Sequence, residues 1–282
     1  MDDILELNRR AWNVQASQGQ SPWVQPVDEA TIARARDNDW KIILTPTLTV
    51  PSHWFGDLLN KNVLGLASGG GQQVPIMAAA GAQVTSFDNS PAQLELDKQV
   101  ATREAMDIVF EQGDMADLSR FEDQSFDLIL HPVSNVFAPN ILPVWRECYR
   151  VLRPGGRLLA GFMNPCIYLF DYDAIEEGKP LEVVNKLPYR DTDALTTSQL
   201  KHRADRGEGI EFSHSLDDQI GGQLRAGLVL LDFYEDHWTD EASPLNKFMP
   251  TSMATLSVKP TPAVQSELAH PITPSSTEAA PS

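Results

Sequence analysis

The apolar positions between residues 63 and 162 form short runs, and the segments between several of these runs have helical periodicity. The runs predict strands at 63–67, 83–87, 108–112, 126–130 and 157–162. Two later runs, at 228–234 and 252–258, predict strands that close the same sheet. Strands and helices that alternate in this way are typical of right-handed βαβ units. The chain is therefore predicted to be an α/β protein with a doubly wound, mostly parallel, seven-stranded sheet and helices on both faces.

The same patterning divides the chain into three parts. Residues 1–60 contain a helical face near the start and then several prolines, which predicts an N-terminal helical segment. Residues 61–258 hold the alternating strands and helices. The alternation is interrupted at 164–212, where three prolines and many charged residues predict an insertion. Residues 259–282 contain five prolines and no aromatic residue, a composition that predicts a disordered tail.

Charge and cysteine content exclude several classes of function. The chain carries 22 Lys and Arg residues against 39 Asp and Glu, a net charge of −17, and such a surface repels phosphate backbones. No nucleic-acid partner is therefore expected. Two cysteines exclude a disulfide scaffold, and the histidines lack the spacing of metal ligands, so no metal site is predicted. No apolar run approaches the ~20 residues of a membrane span, and the acidic start is not a signal peptide, which predicts a soluble, cytoplasmic protein.

The loop after the first predicted strand carries the candidate chemistry. Its three consecutive glycines, Gly69–Gly71, allow a sharp turn and a close approach of the backbone to a ligand. The helix that follows presents unbonded N–H groups at its N-terminus. Asp88 ends the next predicted strand, 19 residues beyond Gly69, where a carboxylate can accept both hydroxyls of a ribose. These features predict a site for a nucleoside-containing cofactor at the carboxyl edge of the sheet.

Three other motifs fit this loop poorly. A dinucleotide fingerprint needs a third glycine where Val74 stands, and a phosphate-binding P-loop needs a lysine that the loop lacks. Ser68 lies one position too late for the nucleophile elbow of hydrolases. These departures weaken all three interpretations.

Five segments occur in the order and spacing of one known family. They read VLGLASGGGQQ, VTSFDNS, EQGDMADL, SFDLILHPVSNVF and RECYRVLRPGGRLLAGF. Together they resemble the class I S-adenosylmethionine-dependent methyltransferases, particularly the small-molecule group that includes the ubiquinone and menaquinone methyltransferases. The resemblance implies a Rossmann-like sheet with an antiparallel last strand, S-adenosylmethionine as the cofactor, and in-line methyl transfer to a small-molecule acceptor. It leaves the identity of the acceptor and the oligomeric state open.

The resemblance also implies roles for individual residues. Those that would hold the cofactor are Ala67, Gly69, Gly71, Gln73, Asp88, Asn89, Asp114, Met115 and His131. Ala67 and the glycines would line the methionine end, and Asp88 would bind the ribose. Asp114 and Met115 would bind the adenine. His131 is the candidate catalytic base, because histidine titrates near neutral pH, and its alternatives are pocket lining or a purely structural role.

One part of the motif departs from the family pattern. Gly65 stands where the family usually has an acid that organises the methionine end, and Ala67 stands where a glycine is usual. Gln73 or its neighbour Gln72 would then replace the acid. Two alternatives to a methyltransferase stay open: a NAD-dependent oxidoreductase, which Val74 disfavours, and a non-catalytic protein that retains the fold.

On the acceptor side, the resemblance implies that the N-terminal helix closes over the cofactor as a lid. Trp12 on that helix and His214 after the insertion are the candidate substrate-binding residues. The alternatives are core packing for Trp12 and helix capping for His214. The aromatic residues of the insertion would line an apolar acceptor pocket or cover the sheet edge; they are Tyr168, Phe170, Tyr172 and Tyr189. An aromatic, quinone-like or otherwise hydrophobic acceptor is therefore expected.

Overall fold

The computed structural model describes residues 4–171, 174–175, 178–239 and 242–268. Its strands are β1 (Asn62–Leu66), β2 (Gln83–Asp88), β3 (Ile108–Gln112), β4 (Phe126–His131), β5 (Leu152–Met163), β6 (Val229–Asp236) and β7 (Ser252–Val258). Within the described residues they form a seven-stranded sheet in the order β3-β2-β1-β4-β5-β7-β6. β7 pairs antiparallel with both β5 and β6, and the other pairings are parallel. The predicted doubly wound, mostly parallel α/β sheet with an antiparallel last strand is confirmed.

The helices predicted between the strands are present. The α-helices are α1 (Ile4–Gln18), α2 (Glu29–Arg36), α3 (Gln73–Ala79), α4 (Pro91–Arg103), α5 (Leu142–Val151), α6 (Asp191–Ala194), α7 (Thr197–Asp205), α8 (Gly222–Arg225) and α9 (Pro262–Leu268). Shorter turns are the π-helical turn Asp217–Gly221 and the 3-10 turns Pro22–Val24, Ser52–Trp54, Asn135–Phe137, Pro165–Leu169 and Pro244–Lys247. Ser90 caps α4 by accepting from the N–H of Gln93, so the helix begins directly after Asp88. None of the helices in the described part of the chain is both long enough and apolar enough to cross a membrane.

Alternating side chains of the central strands build an apolar core on each face of the sheet. Val63 and Leu128 pack with residues of α2 and α3 on one face. Leu64 and Ile129 pack with residues of α5 on the other face. All four are buried, which is what a parallel sheet covered on both sides requires.

A third apolar cluster joins the N-terminal helix to the insertion. Leu7 and Ala11 of α1 pack against α7. Asn8 is buried between these elements, and its Nδ2 donates to the carbonyl oxygens of Phe137 over 2.9 Å and Ile210 over 3.1 Å. Its Oδ1 accepts from the N–H of Ile210 over 2.6 Å. These bonds tie α1 both to the insertion end and to the loop after β4, while the division into lid, main domain and insertion stays a prediction.

The turn before the fifth strand is more extended than predicted. β5 begins at Leu152, and its regular pairing with β4 resumes only at Arg157. Residues 153–156 lie between these pairings as a bulge, in which Gly155 has a φ of +83°. The prediction placed the start of this strand at residue 157 because a Pro-Gly-Gly sequence is typical of a turn.

The last described residues differ from the predicted disordered tail. Lys259 is buried, and its Nζ donates to the carbonyl oxygens of Tyr149 and Leu152, each over 2.8 Å. A cation is favourable at this place because the carbonyl groups at the end of α5 lack partners within the helix. Residues 259–268, which include α9, therefore do not follow the prediction, and residues 269–282 lie outside the described residues.

Candidate functional site

A cavity of about 1210 Å³ lies at the carboxyl ends of the parallel strands. The loops after β1, β2, β3 and β4 line it together with α1 and parts of the insertion. Ligand pockets are typically about 300–1,000 Å³, so this cavity has room for a cofactor and a second molecule. The predicted site residues that line it are Trp12, Ala67, Gly69, Gln73, Asp88, Asn89, Asp114 and Met115. Gly71, His131 and His214 lie outside the lining that the described residues form.

The glycine-rich loop is held by two carboxylates. The N–H of Gly69 donates to Asp88 Oδ2 over 3.1 Å, and the N–H of Gly71 donates to Asp97 Oδ1 over 2.7 Å. Gly71 has a φ of +78° and Ala67 a φ of +49°, both in the left-handed region that favours glycine. Gly71 therefore shapes the loop instead of lining the cavity, which differs from its predicted role.

Asp88 presents its carboxylate at the end of β2. Oδ1 accepts from the N–H of Ser90 over 2.8 Å, and Oδ2 accepts from that of Gly69. A carboxylate has about four lone-pair sites, so both oxygens keep capacity for further donors. Burial raises the pKa of Asp88 to about 6, and these backbone donors oppose the rise. The group is thus mainly a charged acceptor at neutral pH, as a ribose site requires.

Asp97 is a residue of the site that the sequence analysis missed. It is 0% exposed in α4, and its Oδ2 accepts from Ser86 Oγ over 2.6 Å. Burial raises the pKa of Asp97 to about 7, with a smaller contribution from repulsion by Asp88, while the hydrogen bonds that it accepts oppose the rise. The available signal was its position on the buried face of α4 between Leu94 and Val100, where an apolar residue is expected.

We expect Asp97→Asn to change the pH dependence of stability. An Asp in an unfolded chain titrates near pH ~3.9, so between that pH and about 7 the folded protein holds a proton that the unfolded chain has lost. The free energy of unfolding therefore falls as the pH rises through this window, by up to ~1.4 kcal/mol per pH unit. The amide stays neutral and can keep both hydrogen bonds. The variant should gain stability relative to the natural protein between about pH 4 and about pH 7, measured by urea unfolding.

Glu95→Gln is the matched control for Asp97→Asn, because Glu95 lies on the same helix with an exposed side chain. It reports the effect of losing one surface charge. A stability difference between Asp97→Asn and the natural protein that stays constant across the pH range would contradict the prediction.

The loop after β3 contributes two of the predicted residues. Asp114 Oδ1 accepts from the N–H of Ala116 over 2.9 Å, which orients the carboxylate and leaves its second oxygen available. Met115 is half-buried and packs against the core on the α5 face. Asn89, after β2, instead donates from Nδ2 to the carbonyl oxygen of Leu5 over 2.8 Å. Its side chain therefore ties α1 to the site.

The packing around β1 explains why glycine stands at position 65. A Cβ atom there would lie 2.5 Å from Val74 Cγ2 and 2.6 Å from Ser68 Oγ, so an acid does not fit this backbone. Ser68 Oγ and Gln93 Oε1 are buried beside the cavity and have no hydrogen-bond partner in the described part of the chain. Buried polar atoms are usually paired, so two unpaired atoms beside the glycine loop indicate a polar ligand.

The two glutamines after the loop hold neighbouring segments. Gln73 lines the cavity, and its Oε1 accepts from the N–H of Ile43 over 3.3 Å. Gln72 donates from Nε2 to the carbonyl oxygen of Gln25 over 3.2 Å. The predicted contact of Gln73 with a cofactor stays a prediction.

His131 packs beneath α5 instead of lining the cavity. Its Nδ1 lies 3.0 Å from the carbonyl oxygen of Leu66, and its ring meets Trp145 edge to face, with centroids 5.9 Å apart. Burial lowers the pKa of His131 to about 4, so the imidazole is neutral at pH 7. A general base must come within hydrogen-bond reach of the proton that it takes. The predicted roles of His131 as base and cofactor contact do not fit this position.

The two candidate substrate-binding residues differ in location. Trp12 lines the cavity and packs edge to face against Phe137, with ring centroids 5.3 Å apart. His214 is buried, and its Nε2 lies 3.1 Å from the carbonyl oxygen of Asn135. His214 therefore braces the loop after β4. A substrate contact fits the position of Trp12 and does not fit that of His214.

The insertion supplies a polar group of side chains to the cavity. Tyr168 donates from its hydroxyl to Glu211 Oε2 over 2.7 Å, and Tyr189 donates to Asp191 Oδ1 over 2.8 Å. The two tyrosine rings stack with centroids 5.7 Å apart. The N–H of Glu211 donates to Asp191 Oδ2 over 2.8 Å. These four connected residues are called the tyrosine–carboxylate cluster below.

The sequence predicted only part of this cluster. It predicted the two tyrosines and Phe170, all of which line the cavity, whereas Tyr172 lies outside the described residues. It missed Asp191, Glu211 and Arg203, whose Nη1 lies 3.6 Å from Asp191 Oδ1. No spacing in the sequence marks these residues as neighbours. Among the residues that the structure describes, no group of three or more His, Cys, Asp or Glu side chains could hold a metal ion.

The chain is similar in sequence to known methyltransferases. Residues 64–160 match the family described as methyltransferase domain. Over 259 residues the chain is 43% identical to the uncharacterized methyltransferase YbaJ of Bacillus subtilis strain 168, which covers 92% of this chain and 100% of that protein. Over 108 residues it is 29% identical to the ubiquinone biosynthesis O-methyltransferase of Xanthomonas oryzae pv. oryzae strain PXO99A, covering 38% of this chain and 45% of that protein.

The fold is similar to that of a solved methyltransferase. The S-adenosylmethionine-dependent methyltransferase from Mesorhizobium loti aligns with a TM-score of 0.54 and 17% sequence identity. The alignment covers 73% of this chain and 94% of that one. At this identity the likeness concerns the arrangement of strands and helices.

Proposed function

Because this chain belongs to the class I S-adenosylmethionine-dependent methyltransferases, we propose that it transfers the methyl group to a small, apolar molecule bound between α1 and the insertion. The observation that carries the proposal is the cavity, which is lined both by the loops around Asp88 and by the tyrosine–carboxylate cluster. One end offers the groups that a nucleoside needs, and the other offers aromatic and titratable side chains for an acceptor.

S-adenosylmethionine is the cofactor, and the lining residues fit its chemical parts. In the proposal, Asp88 accepts the ribose hydroxyls, and the second oxygen of Asp114 accepts from the adenine amino group. Ser68 Oγ and Gln93 Oε1, which lack partners among the described residues, accept from the ammonium group of the methionine end. They take the place of the acid that the packing around Gly65 excludes.

Catalysis in such a site depends on alignment and on the exclusion of water. When bound, S-adenosylmethionine supplies a methyl group activated by a positively charged sulfur. Orientation of the reacting groups can contribute ~7–11 kcal/mol. Trp12 and Phe137 provide an aromatic side to the cavity. Asn13 holds α1 in place, because its Oδ1 accepts from Ser90 Oγ over 2.7 Å at the start of α4.

Three further observations support a small apolar acceptor. The insertion side of the cavity is lined by apolar side chains, among them Ile167, Phe170 and Leu195. The Xanthomonas relative is named for O-methylation in ubiquinone biosynthesis. The net charge of −17 disfavours a nucleic-acid acceptor.

Thermal unfolding with added ligands tests the cofactor, and isotope transfer tests the acceptor class. A ligand at about 100 times its Kd adds ~2.7 kcal/mol, which raises the unfolding temperature of a chain of this size by several degrees. We expect this shift with S-adenosylmethionine and S-adenosylhomocysteine and none with NAD(H). We then expect labelled methyl to pass to small aromatic molecules. A shift with NAD(H) alone, or labelling of RNA or protein and of no small molecule, would overturn the proposal.

A further inference from the structure

The carboxylates of Glu211 and Asp191 in the tyrosine–carboxylate cluster differ in the number of hydrogen bonds that they accept. Asp191 is 2% exposed, and it accepts from Tyr189 and from a backbone N–H and lies near Arg203. Glu211 Oε2 accepts from Tyr168, whereas Oε1 has no hydrogen-bond partner in the described part of the chain. Since Glu211 lines the cavity, it offers an acceptor atom to a molecule bound there.

The backbone and Tyr168 fix the place of this carboxylate. The N–H of Asp191 donates to the carbonyl oxygen of Glu211 over 3.0 Å, and the reverse side-chain bond to Asp191 joins the same two segments. Asn185 donates from Nδ2 to the carbonyl oxygen of Tyr168 over 3.2 Å, which anchors the residue whose hydroxyl meets Glu211. The carboxylate is therefore held before any ligand binds, as a general base should be.

The position of Glu211 and the direction of its pKa shift suit proton transfer better than those of His131. Burial raises the pKa of Glu211, and the nearby Asp191 adds to the rise, while the hydrogen bond from Tyr168 and the charge of Arg203 oppose it. A base is most effective when its pKa lies near the working pH. Burial lowers the pKa of His131 to about 4, away from neutral pH, and His131 lies outside the cavity lining.

We propose that Glu211 is the catalytic base on the acceptor side and that Tyr168 is its positioning residue, so that the acceptor is an apolar molecule whose nucleophile carries a proton, a hydroxyl or an amino group. The inference rests on the proposed function. An O–H or N–H bond of the acceptor breaks, and its proton passes to Glu211 Oε1. The electron pair left on oxygen or nitrogen forms the bond to the methyl carbon, and the pair of the broken carbon–sulfur bond stays on sulfur.

The charge of the lining supports this class of acceptor. The acidic residues that line the insertion side of the cavity are Asp171, Asp191, Glu208 and Glu211, and Arg203 is the cation beside them. Like charges a few ångström apart repel, and they do so more strongly beside a protein surface than in water, because the effective dielectric constant is lower there. A carboxylate or phosphate acceptor is therefore disfavoured, whereas a hydroxyl or an ammonium group can donate to Glu211.

Equilibrium binding of three matched probes tests the inference without turnover. Naphthol, naphthylmethylamine and naphthoate share one ring system and differ in the group that they present. We expect the complex with S-adenosylhomocysteine to bind the hydroxyl and amine probes at least about tenfold more tightly than naphthoate at neutral pH. Equal or tighter binding of naphthoate would overturn the inference.

Substitution of Glu211 tests whether this side chain causes the preference for the hydroxyl and amine probes over naphthoate. Glu211→Gln should reduce the preference over naphthoate to about threefold or less, because it removes the facing charge. Glu182→Gln is the matched control, since Glu182 is an exposed acid of the same insertion that does not line the cavity as described. It should keep the full preference. An unchanged preference in Glu211→Gln would overturn the inference.

Tyr168→Phe gives a second test, which distinguishes a positioning role of Tyr168 from a merely structural one. The lost hydroxyl no longer stabilises the charged carboxylate, so the pKa of Glu211 should rise further. The charged and titratable groups that face Glu211 are Tyr168, Asp191 and Arg203, with Tyr189 next to them. The pH at which the preference over naphthoate develops should therefore move upward in Tyr168→Phe. Weaker binding of all three probes with no change in that pH would assign Tyr168 a structural role only.

Two readouts separate this inference from the proposed function. Affinity for S-adenosylhomocysteine should stay within about twofold in Glu211→Gln, because Glu211 makes none of the proposed cofactor contacts. A natural protein that binds no S-adenosylhomocysteine would count against the proposed function. A natural protein that methylates small molecules but shows no preference dependent on Glu211 would count against the inference alone.

Discussion

Gly65→Asp should strongly destabilise the protein, although an acid is what the family usually carries at this position. Gly65 is buried, and a Cβ atom there would come within 2.5 Å of Val74 Cγ2 and 2.6 Å of Ser68 Oγ. Overpacking a core costs about 1–3 kcal/mol, and a carboxylate buried without a partner adds several more. We expect the free energy of unfolding to fall by about 4 kcal/mol or more, measured by urea denaturation.

Two further variants separate the causes of this loss. Gly65→Ala introduces the contact without the charge and should cost about 1–3 kcal/mol. Combining it with Val74→Ala removes the nearest contact and should recover part of the lost stability, because the contact with Ser68 Oγ remains and a cavity is left. If Gly65→Asp unfolded at the same urea concentration as the natural protein and bound S-adenosylhomocysteine more tightly, the packing account would be wrong.

Asp88→Ala should weaken the binding of S-adenosylhomocysteine by about 1.5–3 kcal/mol, or about 10–150-fold. The change removes the acceptor proposed for the ribose hydroxyls. It also leaves the backbone N–H groups of Gly69 and Ser90 without their acceptor, which loosens the loop. Isothermal titration calorimetry measures the affinity, and thermal unfolding in the absence of ligand shows whether the fold is retained.

Asp107→Asn is the control for Asp88→Ala, because Asp107 is exposed just before β3, at the opposite end of the sheet from the cavity. Its affinity for S-adenosylhomocysteine should match that of the natural protein. An Asp88→Ala variant that also binds within about twofold of the natural protein would remove Asp88 from the cofactor site.

The strands and the cofactor edge could be predicted because their signals are local. β1 to β4 lie within one residue of their predicted bounds at each end. An apolar run, a glycine turn and the Ser90 cap each involve only a few neighbouring positions. Residues that are this close in sequence are also close in space. Gly69 and Asp88 follow the two strands of one βαβ unit, so both lie at the same edge of the sheet. The N–H of Gly69 can therefore donate to Asp88 Oδ2 over 3.1 Å.

His131 does not line the cavity as predicted, because the alternation of side chains along β4 points its ring to the α5 side of the sheet. Side chains alternate along β4, so Leu128 and Leu130 face the α2 and α3 side while Ile129 faces α5. His131 follows the parity of Ile129 and packs against Trp145 of α5. The family resemblance suggested the cavity, whereas alternation along the strand places the ring under α5.

The positions of the strands and helices along the chain and the cofactor edge followed from the sequence, because each is specified within one strand, one helix or one turn. The carboxylates that face an acceptor, and the partners of the predicted tyrosines, did not. Tyr168 and Glu211 are 43 positions apart, and Gly71 and Asp97 are 26 apart. Burial and partners at such separations depend on how the insertion folds back against α1 and how α4 packs beneath the glycine loop. Only the tertiary structure could therefore show that Glu211 lines the cavity and that Asp97 holds the glycine loop.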